Sequence, residues 1–475
     1  MNLQEADPAQ EQTQSARRPL VVDLDGTLIR SDILIETIFG LIKKNPLLVF
    51  LLPIWLIKGK ANLKHQIARR VDIDVRLLPY HEDFLDYLKK QHAAGRRLIL
   101  ATAAHEKFAH AVAQHLELFD TVIATDASLN ASGQRKLRRL REQFGEGGFD
   151  YAGNGMIDLA LWRAAEESIV VNPERGVERA ARAQANVTRT FEDRTGRPLA
   201  TYLRALRIHQ WLKNALLFVP LVMAHRIDEP ALVVQACMAF LAFGLCASSV
   251  YLLNDFFDLA EDRQHPTKRT RPFASGAISL YGGGVLMVAL LALSGVFALL
   301  LPPQFVAALF IYFALTAAYS LWLKRVALVD VILLAGLYTL RIIAGAAAVG
   351  IAPSFWLLAF SMFLFLSLAL VKRFTELSIM RQIGSEQAFG RGYHACADMS
   401  VVVLALYVVG EAVKDLYTCP QIIWLLCPLL LYLVMRIWLL AQRGELHEDP
   451  IVFALQDRRS QMLVVTGAAL LWLAV

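Results

Sequence analysis

Two groups of acidic residues in this chain have the types and spacing for phosphate chemistry. The first is Asn254-Asp255-Phe256-Phe257-Asp258-Leu259-Ala260-Glu261-Asp262-Arg263, followed by His265-Pro266-Thr267-Lys268-Arg269-Thr270-Arg271-Pro272. On one continuous helix Asn254, Asp258 and Asp262 stand at i, i+4 and i+8, so their oxygens share a face. Hard oxygen donors of this kind suit Mg²⁺, which takes a few carboxylates together with substrate phosphate oxygens. The basic residues just beyond suit the rest of a diphosphate. A solvated acidic loop followed by a positive anchor would use the same residue types, but it requires no carboxylate repeat.

The second group is Leu20-Val21-Val22-Asp23-Leu24-Asp25-Gly26-Thr27-Leu28, a short apolar strand ending in two carboxylates one residue apart. Alternation sends Asp23 and Asp25 to the same side, and the carboxyl end of a strand is where α/β sheets bind ligands. A further strand, Arg97–Thr102, ends in a hydroxyl. Gly133 and Lys136 follow, and Tyr151-Ala152-Gly153-Asn154-Gly155-Met156-Ile157-Asp158 closes another strand. Strands alternating with helices predict a parallel, doubly wound sheet.

These groups lie in different kinds of chain. Of 475 residues 56% are hydrophobic and the mean hydropathy is +0.44, which excludes an ordinary soluble protein and points to an integral membrane protein. Residues 1–200 are rich in charge, whereas 210–475 read as a series of apolar spans. Residues 1–18 are polar and read as a disordered start without a secretory signal. Cys237, Cys246, Cys396, Cys419 and Cys427 form no Cys-x-x-Cys pair and read as small buried residues. Juxtamembrane Lys and Arg account for the net charge of +6, so no nucleic-acid partner is expected.

Nine spans near the ~20 residues a bilayer requires are expected, at 211–225, 231–253, 282–301, 303–322, 328–350, 354–371, 399–418, 420–440 and 461–475. The connections around 255–280, 324–325, 372–398 and 441–460 carry nearly all the Lys and Arg of this half. The turns at 301–303, 350–353 and 419–420 carry none. The positive-inside rule then places the basic connections, and the charged N-terminal domain with them, on the cytoplasmic side. Tyr319, Lys324 and Asp330 flank one junction and Arg341 lies inside the next span. Ionisable groups at such depth mark function unless they form an interhelical ion pair.

The Asn254–Asp262 motif, the Lys268/Arg271-Pro272…Ser275-Gly276 tail and the Tyr319…Lys324…Asp330 spacing resemble the UbiA-type intramembrane prenyltransferase superfamily, over roughly residues 200–475. That resemblance implies an all-α bundle of about nine helices, with a cytoplasm-facing polar cavity and a lateral opening for polyprenyl chains. It implies that Asn254, Asp255, Asp258 and Asp262 bind one or two Mg²⁺ with diphosphate. Lys268, Arg271 and Lys324 would contact phosphate oxygens. Members that prenylate aromatic acceptors carry a second Asp-rich motif, but here the loop reads Val371-Lys372-Arg373-Phe374-Thr375-Glu376-Leu377. With Arg207-Ile208-His209-Gln210-Trp211-Leu212-Lys213-Asn214 and Glu448-Asp449-Pro450…Asp457-Arg458, this is similar to the decaprenyl-phosphate phosphoribosyltransferase branch. Lys213, Asn214, Tyr319, Asp330, Arg341, Lys372, Arg373 and Glu376 are then the further substrate contacts. Phosphoribosyl pyrophosphate carries a diphosphate leaving group and a distant 5-phosphate, which Lys372 and Arg373 suit. Cytoplasmic anchoring would use the same two cations.

Residues 19–190 resemble the haloacid dehalogenase (HAD) superfamily of phosphohydrolases, with a cap at about 31–80. The resemblance implies Asp23 as nucleophile, Asp25 as general acid/base, and Thr102 and Lys136 as holders of the phosphoryl group. It implies one Mg²⁺ on Asp23, Asp158 and the Asp25 carbonyl. Asn154 stands where many members have Asp, which keeps a carbonyl ligand and loses a charge. Within the cap, Asn45–Ile57 is apolar, flanked by Lys43, Lys44, Lys58 and Lys60, and too short to span. It reads either as a bilayer-interface segment or as cap core. Residues 185–205 read as a polar connection, with 191–205 a linker into a membrane domain at 206–475.

The expected function is a bifunctional enzyme of a bacterial-type inner membrane. One half joins phosphoribosyl pyrophosphate to polyprenyl phosphate, and the HAD half removes the 5-phosphate. One alternative moves a polyprenyl group from its diphosphate to an aromatic acceptor, and another makes the HAD module an inactive scaffold. The oligomeric state stays open.

Overall fold

The computed structural model describes residues 18–126, 133–174, 176–192, 198–381, 420–446, 450, 453–454 and 457–474. They form two compact units. One is the chain up to Ala205 together with Asp255–Val285, and the other is Leu206–Asn254 with the chain from Leu286 onward.

In the first unit, β1 (Leu20–Val22) is apolar at every position and is buried on both faces, as a central parallel strand requires. With β2 (Leu98–His105), β3 (Thr121–Thr125), β4 (Asp150–Gly153), β5 (Ser168–Val171) and β6 (Val187–Phe191) it forms a sheet of order β3-β2-β1-β4-β5-β6. Every pairing is parallel. Strand order reverses at β1, which lies between β2 and β4, so its carboxyl end opens at the switch point of the sheet. One core gathers Leu24, Leu28, Phe84 and Phe108, and another gathers Leu137, Leu140, Leu161 and Trp162. The expected doubly wound α/β domain is present.

The stretch 185–205 is not the featureless connection expected. Val187-Thr188-Arg189-Thr190-Phe191, apolar at its ends and polar between, pairs with β5 as the edge strand, and Pro198–Leu206 is helical.

Between β1 and the helix Glu82–Ala93 the chain builds a helical cap from Ile33–Lys44, Leu52–Ile57 and Lys60–Ala68. Asp32 caps the first helix, accepting the Ile35 N–H at 2.9 Å. Leu41 of that helix packs with Trp55, Leu63, Ile67 and Val71. The apolar insertion combines both expected characters. Trp55 is buried beneath the Arg70 guanidinium, while Leu47, Phe50 and Ile57 are 71%, 73% and 86% exposed.

Among the described residues five helices are long and apolar enough to cross a membrane: Pro230–Phe257, Leu280–Leu299, Pro303–Leu321, Val329–Val349 and Phe355–Thr375. The candidate at 211–225 forms no such helix. Arg207, in the left-handed region at φ 50, opens a 3₁₀ segment over Ile208–Phe218, and the short helix Val219–Met223 follows with Pro220 in its first turn. The candidates at 420–440 and 461–475 appear as Leu426–Gln442 and Arg458–Ala474, of 17 residues each. The candidate at 399–418 lies outside the described residues.

Candidate active sites

Because β1 stops at Val22, Asp23 and Asp25 leave the sheet at its switch point. The Asp23 N–H donates to the Ala152 carbonyl of β4 at 3.0 Å, tying the loop to the neighbouring strand. Lys136, from the helix Gln134–Phe144, donates to Asp23 Oδ1 at 2.8 Å and to the Tyr151 hydroxyl oxygen at 3.1 Å. Tyr151 donates to Asp158 Oδ1 at 2.9 Å, and Asp158 Oδ2 accepts the Asn154 and Gly155 N–H groups at 3.1 and 3.0 Å. Thr102, fully buried on β2, accepts the Ala104 N–H at 2.9 Å. Asp23, Lys136 and Asp158 are therefore joined in one hydrogen-bonded chain through Tyr151, which sequence reasoning did not single out.

Burial raises the Asp23 pKa and the Asp158 charge adds to the rise, while Lys136 opposes it. Asp25 is pushed well above the ordinary carboxylate range by burial and by Asp32, against the Ile33 N–H that it accepts at 2.9 Å. A carboxyl that holds its proton more tightly than usual suits a general acid. Asp23 and Asp158 repel each other in a buried place, and a hard divalent cation held by both would offset that cost, so the donors fit Mg²⁺. Among the described residues no three His, Cys, Asp or Glu side chains gather into a metal cage. Any such ion then draws its remaining ligands from backbone, amide and substrate oxygens. The Asn154 amide packs on Gly26 (φ +76), where any Cβ would collide with it, and Asn154 Oδ1 lies 3.5 Å from the Thr27 hydroxyl. Asn154 thereby closes the turn that carries Asp25.

Lys64 was not foreseen. It comes from the cap helix Lys60–Ala68, donates to the Ala103 carbonyl at 2.6 Å and feels the charges of Asp25 and Asp32. Beside it His65 Nδ1 and His105 Nε2 stand 3.1 Å apart. Nothing in the sequence distinguishes Lys64 from the other cap lysines.

The acidic segment departs from the single helical face expected of it. The long helix ends at Phe257, Asp258 sits between helices at φ −100 and ψ 11, and Leu259–Gln264 forms a second helix. The i, i+4, i+8 face is broken there. The residues brought together are instead Asp255 and Asp262, both buried, which Arg271 Nη1 bridges at 3.4 and 2.7 Å. Buried carboxylates need such a counter-charge. Asp258 has Lys43 Nζ at 3.9 Å, Asn254 stays in the last turn of the long helix, and Lys268 is exposed on a short 3₁₀ turn. Hard oxygens balanced by side-chain cations fit Mg²⁺-diphosphate, since the carboxylates would hold the metal and the cations the phosphate oxygens.

In the second unit the polar residues form two clusters. Arg341 donates to Asn214 Oδ1 at 3.1 Å, to the Tyr312 hydroxyl at 3.1 Å and to the Leu337 carbonyl at 2.7 Å. Its guanidinium also lies over the rings of Phe243, Tyr312 and Tyr338, and Lys213 lies over Tyr338. Among the described residues Asn214 Nδ2, a buried donor, meets no acceptor, which suits a ligand or water. In the other cluster Arg373 donates to Asp330 Oδ2, and lies 3.5 Å from the Tyr319 hydroxyl. Asp330 is thus half of an interhelical ion pair, and its second oxygen is buried with no donor among the described residues. Lys324 and Lys372 are half-buried. The side chain of Glu376 lies outside the described residues, as do Glu448 and Asp449.

The model of the UbiA prenyltransferase family matches residues 215–456, and that of the haloacid dehalogenase-like hydrolases matches residues 20–163. The uncharacterized protein y4nM of Sinorhizobium fredii is 41% identical over 458 residues, 93% of this chain and 88% of that protein. The nodulation protein NoeC of Azorhizobium caulinodans is 36% identical over 58% of this chain and 92% of its own length. Decaprenyl-phosphate phosphoribosyltransferase of Mycobacterium tuberculosis is 36% identical over 191 residues, 39% of this chain and 63% of that enzyme. The chain therefore belongs to the UbiA prenyltransferase family, as an integral membrane protein that carries a haloacid dehalogenase-like hydrolase domain ahead of its membrane half.

Proposed function

We propose that the membrane half transfers 5-phosphoribose from phosphoribosyl pyrophosphate to a polyprenyl phosphate, and that the HAD half removes the 5-phosphate of the product. The observation that carries this reading is the likeness to decaprenyl-phosphate phosphoribosyltransferase. Lys372 and Arg373, standing where aromatic prenyltransferases have a second acidic motif, add to it. Cations there suit an anionic lipid nucleophile or a second phosphate.

In the transfer, an oxygen of the lipid phosphate bonds to the anomeric carbon as the bond from that carbon to pyrophosphate breaks. Asn254, Asp255, Asp258 and Asp262 would hold Mg²⁺, which supplies charge neutralisation for the leaving group. Lys268, Arg271 and Lys324 take phosphate oxygens, and Lys213, Asn214, Tyr319, Asp330, Arg341 and Glu376 line the remaining polar contacts. In the phosphatase, Asp23 attacks the 5-phosphate and forms an aspartyl-phosphate while Asp25 protonates the departing ribose oxygen. Asp25 then takes a proton from the water that hydrolyses the intermediate. Lys136 and Thr102 hold the phosphoryl oxygens, and Asp23, Asp158, Asn154 and the Asp25 carbonyl would hold Mg²⁺. The basic connections support a cytoplasmic position for both sites.

Full-length protein given Mg²⁺, polyprenyl phosphate and ribose-labelled phosphoribosyl pyrophosphate should produce lipid-soluble label. No such label, with prenylation of an aromatic acid from prenyl diphosphate, would replace this reading by the aromatic-acceptor one.

The exposed ridge of Leu47, Phe50 and Ile57 beside Lys44 and Lys58 suits contact with an anionic bilayer surface. Phe50→Glu with Ile57→Glu should slow dephosphorylation of bilayer-embedded lipid substrate by about a hundredfold or more, since each apolar side chain withdrawn from the bilayer is worth roughly 1.5–3 kcal/mol. Hydrolysis of a soluble phosphate monoester should be unchanged. Equal slowing of both substrates would remove the membrane role.

A further inference from the structure

The cap helix Ile33–Lys44 presents Glu36, Phe39 and Lys43 at i, i+3 and i+7, one stripe of its surface. Every residue of that stripe engages the acidic segment, which packs in the same compact unit. Glu36 meets Arg263 in a two-pronged pair at 2.7 and 3.0 Å, with both side chains under a tenth exposed. Arg263 also donates to the Ala274 carbonyl at 3.1 Å. Phe39 stacks on Phe256 with ring centres 4.6 Å apart, and meets Phe257 edge-on. Lys43 Nζ donates to the Phe257 carbonyl at 2.6 Å and to Glu261 Oε1 at 2.5 Å, and lies 3.9 Å from Asp258 Oδ1.

The place of Lys43 is specific. Phe257 is the last residue of a long helix, whose final carbonyls have no intrahelical donor. A lysine there satisfies one of them and complements the negative helix end. The same ammonium reaches Glu261, one turn into the next helix, so it spans the break at Asp258 and fixes the angle at which that carboxylate projects. The HAD domain thus supplies a residue to the motif that distinguishes the membrane half.

We propose that Lys43 is a positioning residue of the acidic motif, holding Asp258 in the geometry that receives Mg²⁺-diphosphate. This rests on the reading of that motif as a diphosphate site, and the test separates the two. Binding of Mg²⁺-pyrophosphate to the full-length protein is measured by calorimetry, with amide hydrogen exchange across residues 255–264. Lys43→Ala should weaken binding about tenfold or more, the scale of a lost charge-assisted hydrogen bond, and should speed exchange at 258–262. Lys43→Arg should recover most of the affinity. Glu261→Gln changes a side chain that is 61% exposed, so folding is preserved, and it should weaken binding by a few-fold. Absence of binding in the parent would overturn the diphosphate reading itself. Binding in the parent that is unchanged in both Lys43→Ala and Glu261→Gln would overturn the role of Lys43. Tighter binding in Lys43→Ala would also overturn it, because Lys43 would then compete with the metal.

Discussion

Asp23→Asn should stop release of the 5-phosphate from the lipid-linked product, by at least about a thousandfold, the scale seen when a covalent nucleophile is removed. The amide keeps the shape of the carboxylate but has no anionic oxygen to attack phosphorus, and Lys136 loses the charge it now holds at 2.8 Å. The substitution also relieves repulsion from Asp158, but it leaves the buried Lys136 without its paired charge, so a lower thermal midpoint is expected and is measured alongside. Lipid labelling from ribose-labelled donor should continue and should stop at the 5-phosphorylated species, which phosphate release and chromatography of the lipid fraction would reveal. Phosphate release above a tenth of the parent rate would remove Asp23 as nucleophile.

The converse variant is Asp258→Ala, expected to reduce lipid labelling by at least about a hundredfold through loss of an anionic metal ligand at the leaving group. Asp258 is the better choice than Asp255 or Asp262. Those two are buried and share Arg271, so removing either also disturbs a buried ion-pair cluster and confounds activity with folding. Asp258 is only partly buried, so a thermal midpoint within about 2–4 °C of the parent is expected. Dephosphorylation of preformed 5-phosphorylated lipid should persist. Labelling that survives in Asp258→Ala would exclude this carboxylate from the transfer.

The HAD-like half was largely legible because its candidate site follows strand ends. An all-apolar β1 suits a central strand, and the carboxylates that follow it then emerge at the switch point. The nearness of Lys136 and Asp158 to Asp23 was expected from the family resemblance, although Tyr151, the hydroxyl that joins them, looked like any strand aromatic. The acidic segment was legible in its residue types and not in its shape. Phe256-Phe257-Asp258-Leu259 contains no glycine or proline to announce a break, and the break coincides with a tertiary contact. Lys43, which donates to the Phe257 carbonyl, stands 214 residues away in the chain. Lys64 was hidden for a related reason, since a cap reaches its partner domain only after folding. The strand Val187–Phe191 was hidden because its three middle residues, Thr188-Arg189-Thr190, are all polar and break the alternation that marks a strand.

The packing of Asp255–Val285 with the chain up to Ala205 bears on how such a protein can be divided. A gene cut near residue 205 looks as if it should yield two self-sufficient products. The product beginning after the cut would inherit the acidic segment without Glu36, Phe39 and Lys43, the surface on which that segment is folded. The HAD-like domain and the acidic segment are thus joined by shared architecture, and separating them requires a substitute for one helix, not merely a cut in a loop.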